Sequence, residues 1–168
     1  MGPGQCWKGQ NPMTEPRSTP RVSGILETSL YVDDLPGAIA FYRTVFGFEL
    51  FFHDPRMCAL GIPGGQVLLL FQQGATSEPA PGPGGGQAGG HAGGQAGGFI
   101  PAHHGKGQLH LCFAIPFREL RAWEDHLQAR GIPVESRVVW PGGGTSLYFR
   151  DPEGHSLEVA TPGLWPNA

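Results

Sequence analysis

Read from residue 25, the chain runs through a strand, a helix and three short strands, and about 84 residues later it does so again. Residues 25–32 (ILETSLYV) are rich in β-branched and aromatic side chains with alternating character, as a strand requires. Asp34 then offers an N-cap and Pro36 fits the first helical turn. Ile39, Tyr42 and Phe46 form one apolar stripe before Gly47 ends the helix. Strands at about 48–53, 56–62 and 66–72 complete the unit, separated by Asp54-Pro55 and Pro63-Gly64-Gly65. The second pass places a strand at 108–115 (QLHLCFAI) and a helix at 117–130, with Leu120, Trp123 and Leu127 inward and Gly131 standing where Gly47 stood. Strands near 132–139, 145–150 and 155–160 follow, and Asp151-Pro152-Glu153-Gly154 turns the chain into the last of them. Leu26-Glu27 overlays Leu109-His110, and residues 65–69 overlay 154–158. Such a chain is α+β, with two βαβββ modules that each contribute a curved sheet.

The excess of glycine and proline, 28 and 17 residues in all, sits in the N-terminal stretch and in one glycine-rich tract. Residues 1–23 are polar and proline-rich, lack the continuous apolar segment of a secretory signal, and read as a disordered tail. Residues 24–75 form the first module, 76–100 a glycine-rich linker and 101–165 the second module, so that 24–165 is one domain. The tract at 82–98 (GPGGGQAGGHAGGQAGG) buries too little apolar surface to offset its backbone entropy, and His91 within it reads as a loop residue. A net charge of −3 without a basic block excludes a nucleic-acid partner held by phosphate contacts. No apolar run approaches the roughly 20 residues that span a bilayer. Cys6, Cys58 and Cys112 are odd in number and form no CxxC pair, which fits reduced thiols and a cytoplasmic location. Cys112 alternates with apolar neighbours and reads as buried packing.

Strand alternation decides which side chains share a face. Glu27, Ser29 and Tyr31 oppose Leu26, Leu30 and Val32; His110, Cys112 and Ala114 oppose Leu109, Leu111, Phe113 and Ile115. In the later strands Ser146, Tyr148 and Arg150 oppose Leu147 and Phe149, while Ser156, Glu158 and Ala160 oppose Leu157 and Val159. The more apolar faces suit packing under helices, and the others line the concave side of a cleft. Glu27 and Glu158 on one concave surface would repel each other unless compensated. A divalent cation held by Glu27, Glu158 and His110 removes that repulsion, and one imidazole nitrogen with two carboxylates suits Ni²⁺, Co²⁺, Mn²⁺, Zn²⁺ or Fe²⁺. The alternative leaves these residues as partly exposed polar positions, or pairs the acids with Arg150.

LETSLYVDDLPGAIAFYRTVFGF resembles the opening strand and helix of vicinal oxygen chelate proteins, the superfamily of glyoxalases, bleomycin-resistance proteins and extradiol dioxygenases. HLCFAI and SLYFRDPEGHSLEVATP resemble its second half. Together the two halves cover about 25–72 and 101–165, and the run from Ser146 to Pro162 carries the most specific pattern. The resemblance implies a glyoxalase-like fold and places metal ligands at Glu27, His110 and Glu158. Glyoxalase I enzymes take a further ligand from the end of the first unit, where this chain has Leu69. Three protein ligands would leave room for two substrate oxygens.

The function this implies is that of a metal-dependent enzyme chelating vicinal oxygens of a small substrate. Isomerase or lyase chemistry of the glyoxalase type is preferred, with one divalent metal ion and with Glu27 or Glu158 as base. The alternatives are a bleomycin-resistance-like protein that sequesters a drug without catalysis, and an extradiol-type dioxygenase. His103, Tyr148, Arg150, Leu69 and Trp140 are candidate substrate contacts: His103 as proton carrier or pocket residue, Tyr148 and Arg150 as anion or carbonyl ligands, and Trp140 as a stacking surface. Arg150 could instead brace the Asp151 turn. Val67 and Phe71 add an apolar floor. His155 reads as structural, and His53 and His126 as exposed. The resemblance also implies a homodimer.

Overall fold

The computed structural model of the protein describes residues 19–82 and 98–166. The expectations for residues 1–18 and for the core of the glycine tract, His91 included, lie outside the described residues. The first module comprises β1 (Glu27–Val32), α1 (Leu35–Phe46), β2 (Glu49–His53), β3 (Met57–Ile62) and β4 (Gln66–Gln72). The second comprises β7 (His110–Ala114), α2 (Leu120–Ala129), β8 (Ser136–Val139), β9 (Thr145–Arg150) and β10 (Ser156–Ala160). Each module folds into a four-stranded sheet of the same topology, β1-β4-β3-β2 and β7-β10-β9-β8. In both, the first and last strands pair parallel and the rest antiparallel. The repeat in the sequence is thus a repeat of topology.

The linker expected over 76–100 departs from that picture at its ends. Two short strands, β5 (Ala80–Pro81) and β6 (Phe99–Ile100), pair antiparallel and draw the two ends of the tract together. A second clip stands behind them: the Thr76 hydroxyl donates to the His103 carbonyl at 2.6 Å, and the His103 N–H donates to the Thr76 carbonyl at 3.0 Å. The entropy argument for a free connector concerned residues 82–98, and these contacts are made by the residues that flank that tract.

Helix α1 begins where Asp34 accepts the Gly37 N–H at 3.1 Å and ends at Gly47, whose φ of 70° is the left-handed conformation that closes a helix without Cβ strain. The second helix starts less regularly. Pro116 leads into a 3-10 turn over Phe117–Glu119, which passes into α2 at Leu120. The apolar stripes of both helices and the inner faces of both sheets form one shared core containing Leu30, Val32, Tyr42, Leu68, Leu70, Leu127, Leu147, Phe149, Leu157 and Val159. Phe46, at the end of α1, sits at the junction of the modules, with ring centroids 4.5 Å from Phe113, 5.4 Å from Trp123 and 6.1 Å from Phe149. His126 is not a free surface residue as its sequence context suggested. It is half-buried and its Nε2 donates to the Val45 carbonyl at 2.8 Å, satisfying an orphan acceptor in the last turn of α1.

A polar network crosses the same junction. The buried Tyr42 hydroxyl donates to Asp151 Oδ2 at 2.9 Å, and Asp151 Oδ1 accepts the N–H groups of Glu153 and His155 at 3.0 and 2.8 Å. Burial first, and the Asp151 charge second, push the Tyr42 phenol far above its ordinary range. Because its folded-state value lies above the unfolded one, Tyr42 contributes stability that is fully present below about pH 10 and lost as pH rises beyond it. Tyr42→Phe should therefore lower unfolding free energy by about 2 kcal/mol at neutral pH, the cost of a lost bond to a buried carboxylate. Its stability should also fall less steeply above about pH 10 than the wild type's, as measured by urea unfolding at neutral and alkaline pH.

Candidate functional site

The faces of the two sheets turned away from the shared core carry the polar residues, and each has its own character. On the second sheet, Glu158 lies between Tyr148 of β9 and Cys112 of β7 in register, with His110 two residues before Cys112. Glu158 is only 4% exposed although it stands on the open side of the sheet. Its Oε2 is 3.2 Å from His110 Nε2, and its Oε1 is buried without a hydrogen-bond partner. The other imidazole nitrogen, His110 Nδ1, lies 3.1 Å from the Ser156 carbonyl, which can only accept, so Nδ1 carries a proton. In neutral His110 the lone pair of Nε2 then faces the Glu158 carboxylate. Two acceptors held that close need a proton or a metal ion between them.

A divalent ion fits this demand. Nitrogen and oxygen ligands at about 2.1 Å from one ion stand roughly 3.0–3.4 Å apart in octahedral or tetrahedral geometry, and the His110–Glu158 separation falls in that interval. The Ser156 carbonyl behind the imidazole is the kind of outer partner that orients a ligating histidine. The orphaned carboxylate oxygen is a further acceptor without a donor. Tyr148 stacks on His110, with ring centroids 6.2 Å apart, and its phenol is shifted up by burial and by Glu158, which keeps it a hydrogen-bond donor.

Glu27 does not join them within one chain. It is exposed on β1, at the margin of the first sheet, and among the described residues no three His, Cys, Asp or Glu side chains converge closely enough to hold a metal. The trio expected from alternation is therefore split into a pair and a single acid, because each module closes its own sheet and the strands bearing Glu27 and His110 belong to different sheets. Glu27 instead lines two cavities on the open face of the first sheet. One, of about 550 Å³, is lined by the apolar Leu69, Phe71, Met57 and Ile100 together with Arg56 and His103. The other, of about 240 Å³, is formed by Glu27, Thr28, Ser29, Leu69, Phe71 and His103.

The remaining candidates divide in the same way. Leu69 and His103 stand with Glu27, whereas Tyr148 stands with His110 and Glu158. Arg150 is committed elsewhere: its Nε donates to Glu135 at 3.0 Å and its Nη1 to the Gly154 carbonyl at 3.0 Å, which braces the turn. Trp140 is likewise tethered, its indole Nε1 donating to Ser146 at 2.8 Å. His155 is a structural residue, as expected. It is 2% exposed, accepts the Leu109 N–H at Nδ1 and donates from Nε2 to the Tyr31 carbonyl. Cys112 is not buried packing. Its side of β7 is the open one, and the residue is exposed. Sequence reasoning missed Tyr31 as a site residue, although its alternation with Glu27 and Ser29 was the signal that it shares their face.

A family model for the Glyoxalase/Bleomycin resistance protein/Dioxygenase superfamily matches residues 24–159. The chain belongs to this superfamily. Among solved structures it is similar to the lactoylglutathione lyase of Agrobacterium tumefaciens, at 38% identity over 86% of this chain and 98% of that one, with a TM-score of 0.70. A glyoxalase/bleomycin resistance protein/dioxygenase from Nocardioides (21% identity, 86% of each chain, TM-score 0.60) shares the fold. So does the fosfomycin resistance protein FosX of Listeria monocytogenes (19%, 86% of this chain and 97% of that one, TM-score 0.58). No curated protein sequence matches the chain. No helix among the described residues is long and apolar enough to cross a membrane.

The Cys112 thiol reports on the charge of the site. Packing around the sulfur and the adjacent Glu158 carboxylate push it up to about 12, so it stays protonated at neutral pH and reacts slowly despite the exposure of the residue. Replacing Glu158 with Gln removes the charge and should speed alkylation of Cys112 by iodoacetamide several-fold at pH 8, followed by mass spectrometry of its peptide.

Proposed function

We propose that the protein is a metal-dependent enzyme of the glyoxalase type, acting on a small substrate with two adjacent oxygens. His110 and Glu158 of one copy and Glu27 of a second copy would hold one divalent ion. The observation that carries this reading is the His110–Glu158 pair: a tautomer fixed by Ser156, a carboxylate oxygen 3.2 Å from the remaining nitrogen, and a second carboxylate oxygen with no partner. The 38% identity to a lactoylglutathione lyase supports the choice of lyase or isomerase chemistry over ring cleavage.

The placement of Glu27 apart from His110 and Glu158 supports the second copy in this reading. β1 and β7 each end their sheet, so both have a free edge. A groove of about 470 Å³ between them is walled by Ile25, Phe48, Val67, Leu111 and Phe113, and Glu27 and Cys112 both reach it. Members of this superfamily often dimerise, and a two-fold pairing would set the open face of the first sheet against that of the second sheet of the partner. Such a site would have the acid and apolar wall on one side and the ligand pair and Tyr148 on the other.

A bound divalent ion would supply Lewis-acid polarisation of the substrate oxygens. The chain itself would do the rest. The Tyr148 phenol, kept protonated, would donate to a substrate oxygen, and Leu69 and Phe71 would exclude water from the carbon that loses its proton. Glu27, exposed and free of any ion-pair partner among the described residues, is the carboxylate suited to take that proton. Leu69 stands where a glyoxalase I would carry a further ligand, so a substrate oxygen would take that position.

Metal analysis tests the pair. Purified wild type should carry close to one divalent ion per chain and gain thermal stability from it, and both properties should be lost in His110→Ala and Glu158→Gln. An imidazolium proton between His110 and Glu158 would satisfy the same distance. A wild type that takes up no divalent metal would establish that reading and end this one.

Mixing tests the second copy. If each site draws Glu27 from one chain and His110 from the other, Glu27→Gln and His110→Ala should each lose S-lactoylglutathione-forming activity. Exchanging their subunits should restore about a quarter of the wild-type rate, since half the dimers are mixed and each has one intact site. No recovery on mixing two separately inactive dimers, with exchange verified, would refute the shared site.

A further inference from the structure

His103 is positioned by contacts that a loop residue does not ordinarily have. Its backbone is clipped at both polar groups to Thr76. Its ring lies edge-on to Phe71 at 4.9 Å between centroids, and its Nδ1 meets the hydroxyl of Tyr31 in a short hydrogen bond. Tyr31 is itself fixed: it is 9% exposed, stacks on Phe71 at 5.7 Å, and its carbonyl accepts the His155 Nε2–H. The loop can close over the tyrosine because residue 105 is glycine. A Cβ there would lie 2.6 Å from the Tyr31 ring, closer than real contacts permit.

The chemistry of that hydrogen bond decides which nitrogen of His103 carries the proton. A phenol is a better donor than acceptor and an imidazole nitrogen a better acceptor than a phenol oxygen, so the O–H···N arrangement is favoured. With Nδ1 accepting, neutral His103 must carry its hydrogen on Nε2. His103 lines the 240 Å³ cavity with Glu27, Leu69 and Phe71. The geometry points to a specific role: Tyr31 holds His103 as a neutral Nε2–H donor that binds a carbonyl or enolate-like oxygen of the substrate beside Glu27. His103 is then a polarising donor rather than a base, and Tyr31 is a positioning residue. The place of this donor opposite His110 and Glu158 rests on the two-copy reading above, but the tautomer does not.

Two measurements on the full chain separate these points. Nitrogen-15 shifts of the His103 ring in the metal-free protein at neutral pH should show a protonated Nε2 and a bare Nδ1. In Tyr31→Phe, which keeps the aromatic stack, the ring should relax to a mixture of tautomers. A wild type with the proton on Nδ1 overturns the proposal. Acetohydroxamate, a ligand with two adjacent oxygens, then serves as binding probe for the nickel-loaded protein in calorimetry. Its affinity should fall about tenfold in His103→Ala, about threefold in Tyr31→Phe, and less in His103→Gln than in His103→Ala because the amide retains an N–H donor. Equal affinity in wild type and His103→Ala overturns the donor while leaving the metal pair standing. Loss of binding in His110→Ala with unmoved His103 shifts supports the metal pair and shows that the His103 tautomer is set independently of it.

Discussion

The placement of the two sheets' open faces relative to each other depends on the turn that precedes β10. Asp151 accepts from Tyr42 and from two backbone N–H groups of its own turn, which fixes the loop against helix α1 of the other module. That loop presents His155, and its buried ring spans the interface: Nδ1 takes the N–H of Leu109, immediately before β7, and Nε2 donates to the carbonyl of Tyr31 in β1. One imidazole thus ties together the strands that carry Glu27 and His110. With a donor on one side and an acceptor on the other, His155 is satisfied only as the neutral tautomer with Nε2–H, so its burial costs little. Phe46 and its aromatic neighbours surround the junction with apolar surface, where such hydrogen bonds are poorly replaced by water.

The same construction explains why polar chemistry accumulates on the open faces. Leu30, Val32, Leu147, Phe149, Leu157 and Val159 consume one side of each sheet in a single shared core. Strand alternation then forces Glu27, Tyr31, His110, Tyr148 and Glu158 to the other side. Most of those positions remain accessible, but Glu158 is enclosed by its neighbours while one of its oxygens has nothing to bond. A buried, half-satisfied carboxylate is destabilising in a protein that has no use for it, since an apolar residue in its place would be better tolerated. Its presence in an otherwise well-satisfied strand is the strongest sign of function in the chain.

How far all this was legible in the sequence varies with the kind of information. The two modules and both helix ends at Gly47 and Gly131 follow from local periodicity and a repeat, and these signals survive folding because the core is built from the same periodicity. His110 and Glu158 could be read as partners because alternation puts both on the open face, and the fold then sets them diagonally, two residues apart in register on adjacent strands. Glu27 could not be placed relative to them, because alternation gives the face of a strand but not which sheets come together. Of the two readings open for Arg150, the contact with the Asp151–Gly154 turn is the one the fold makes, with Glu135 as a partner that strand periodicity does not encode, and Trp140, offered as a stacking surface, has its indole N–H engaged by Ser146. Cys112 was misjudged because apolar neighbours in sequence lie on the opposite face of the strand.

Tyr31 illustrates the general point. In the sequence it is one more aromatic residue in a β-branched strand, the ordinary filler of a sheet. Its backbone carbonyl is held by the His155 clamp, its ring by Phe71 and its hydroxyl by His103, so a single residue links the junction of the modules to the wall of the cavity. A displacement of the Asp151 turn would move β1, and through Tyr31 it would move the donor on His103. The fold does not merely carry the site on a rigid frame. The hydrogen bonds that join its two modules are continuous with those that aim its polar groups, so packing of the junction and alignment of the cavity wall are one constraint.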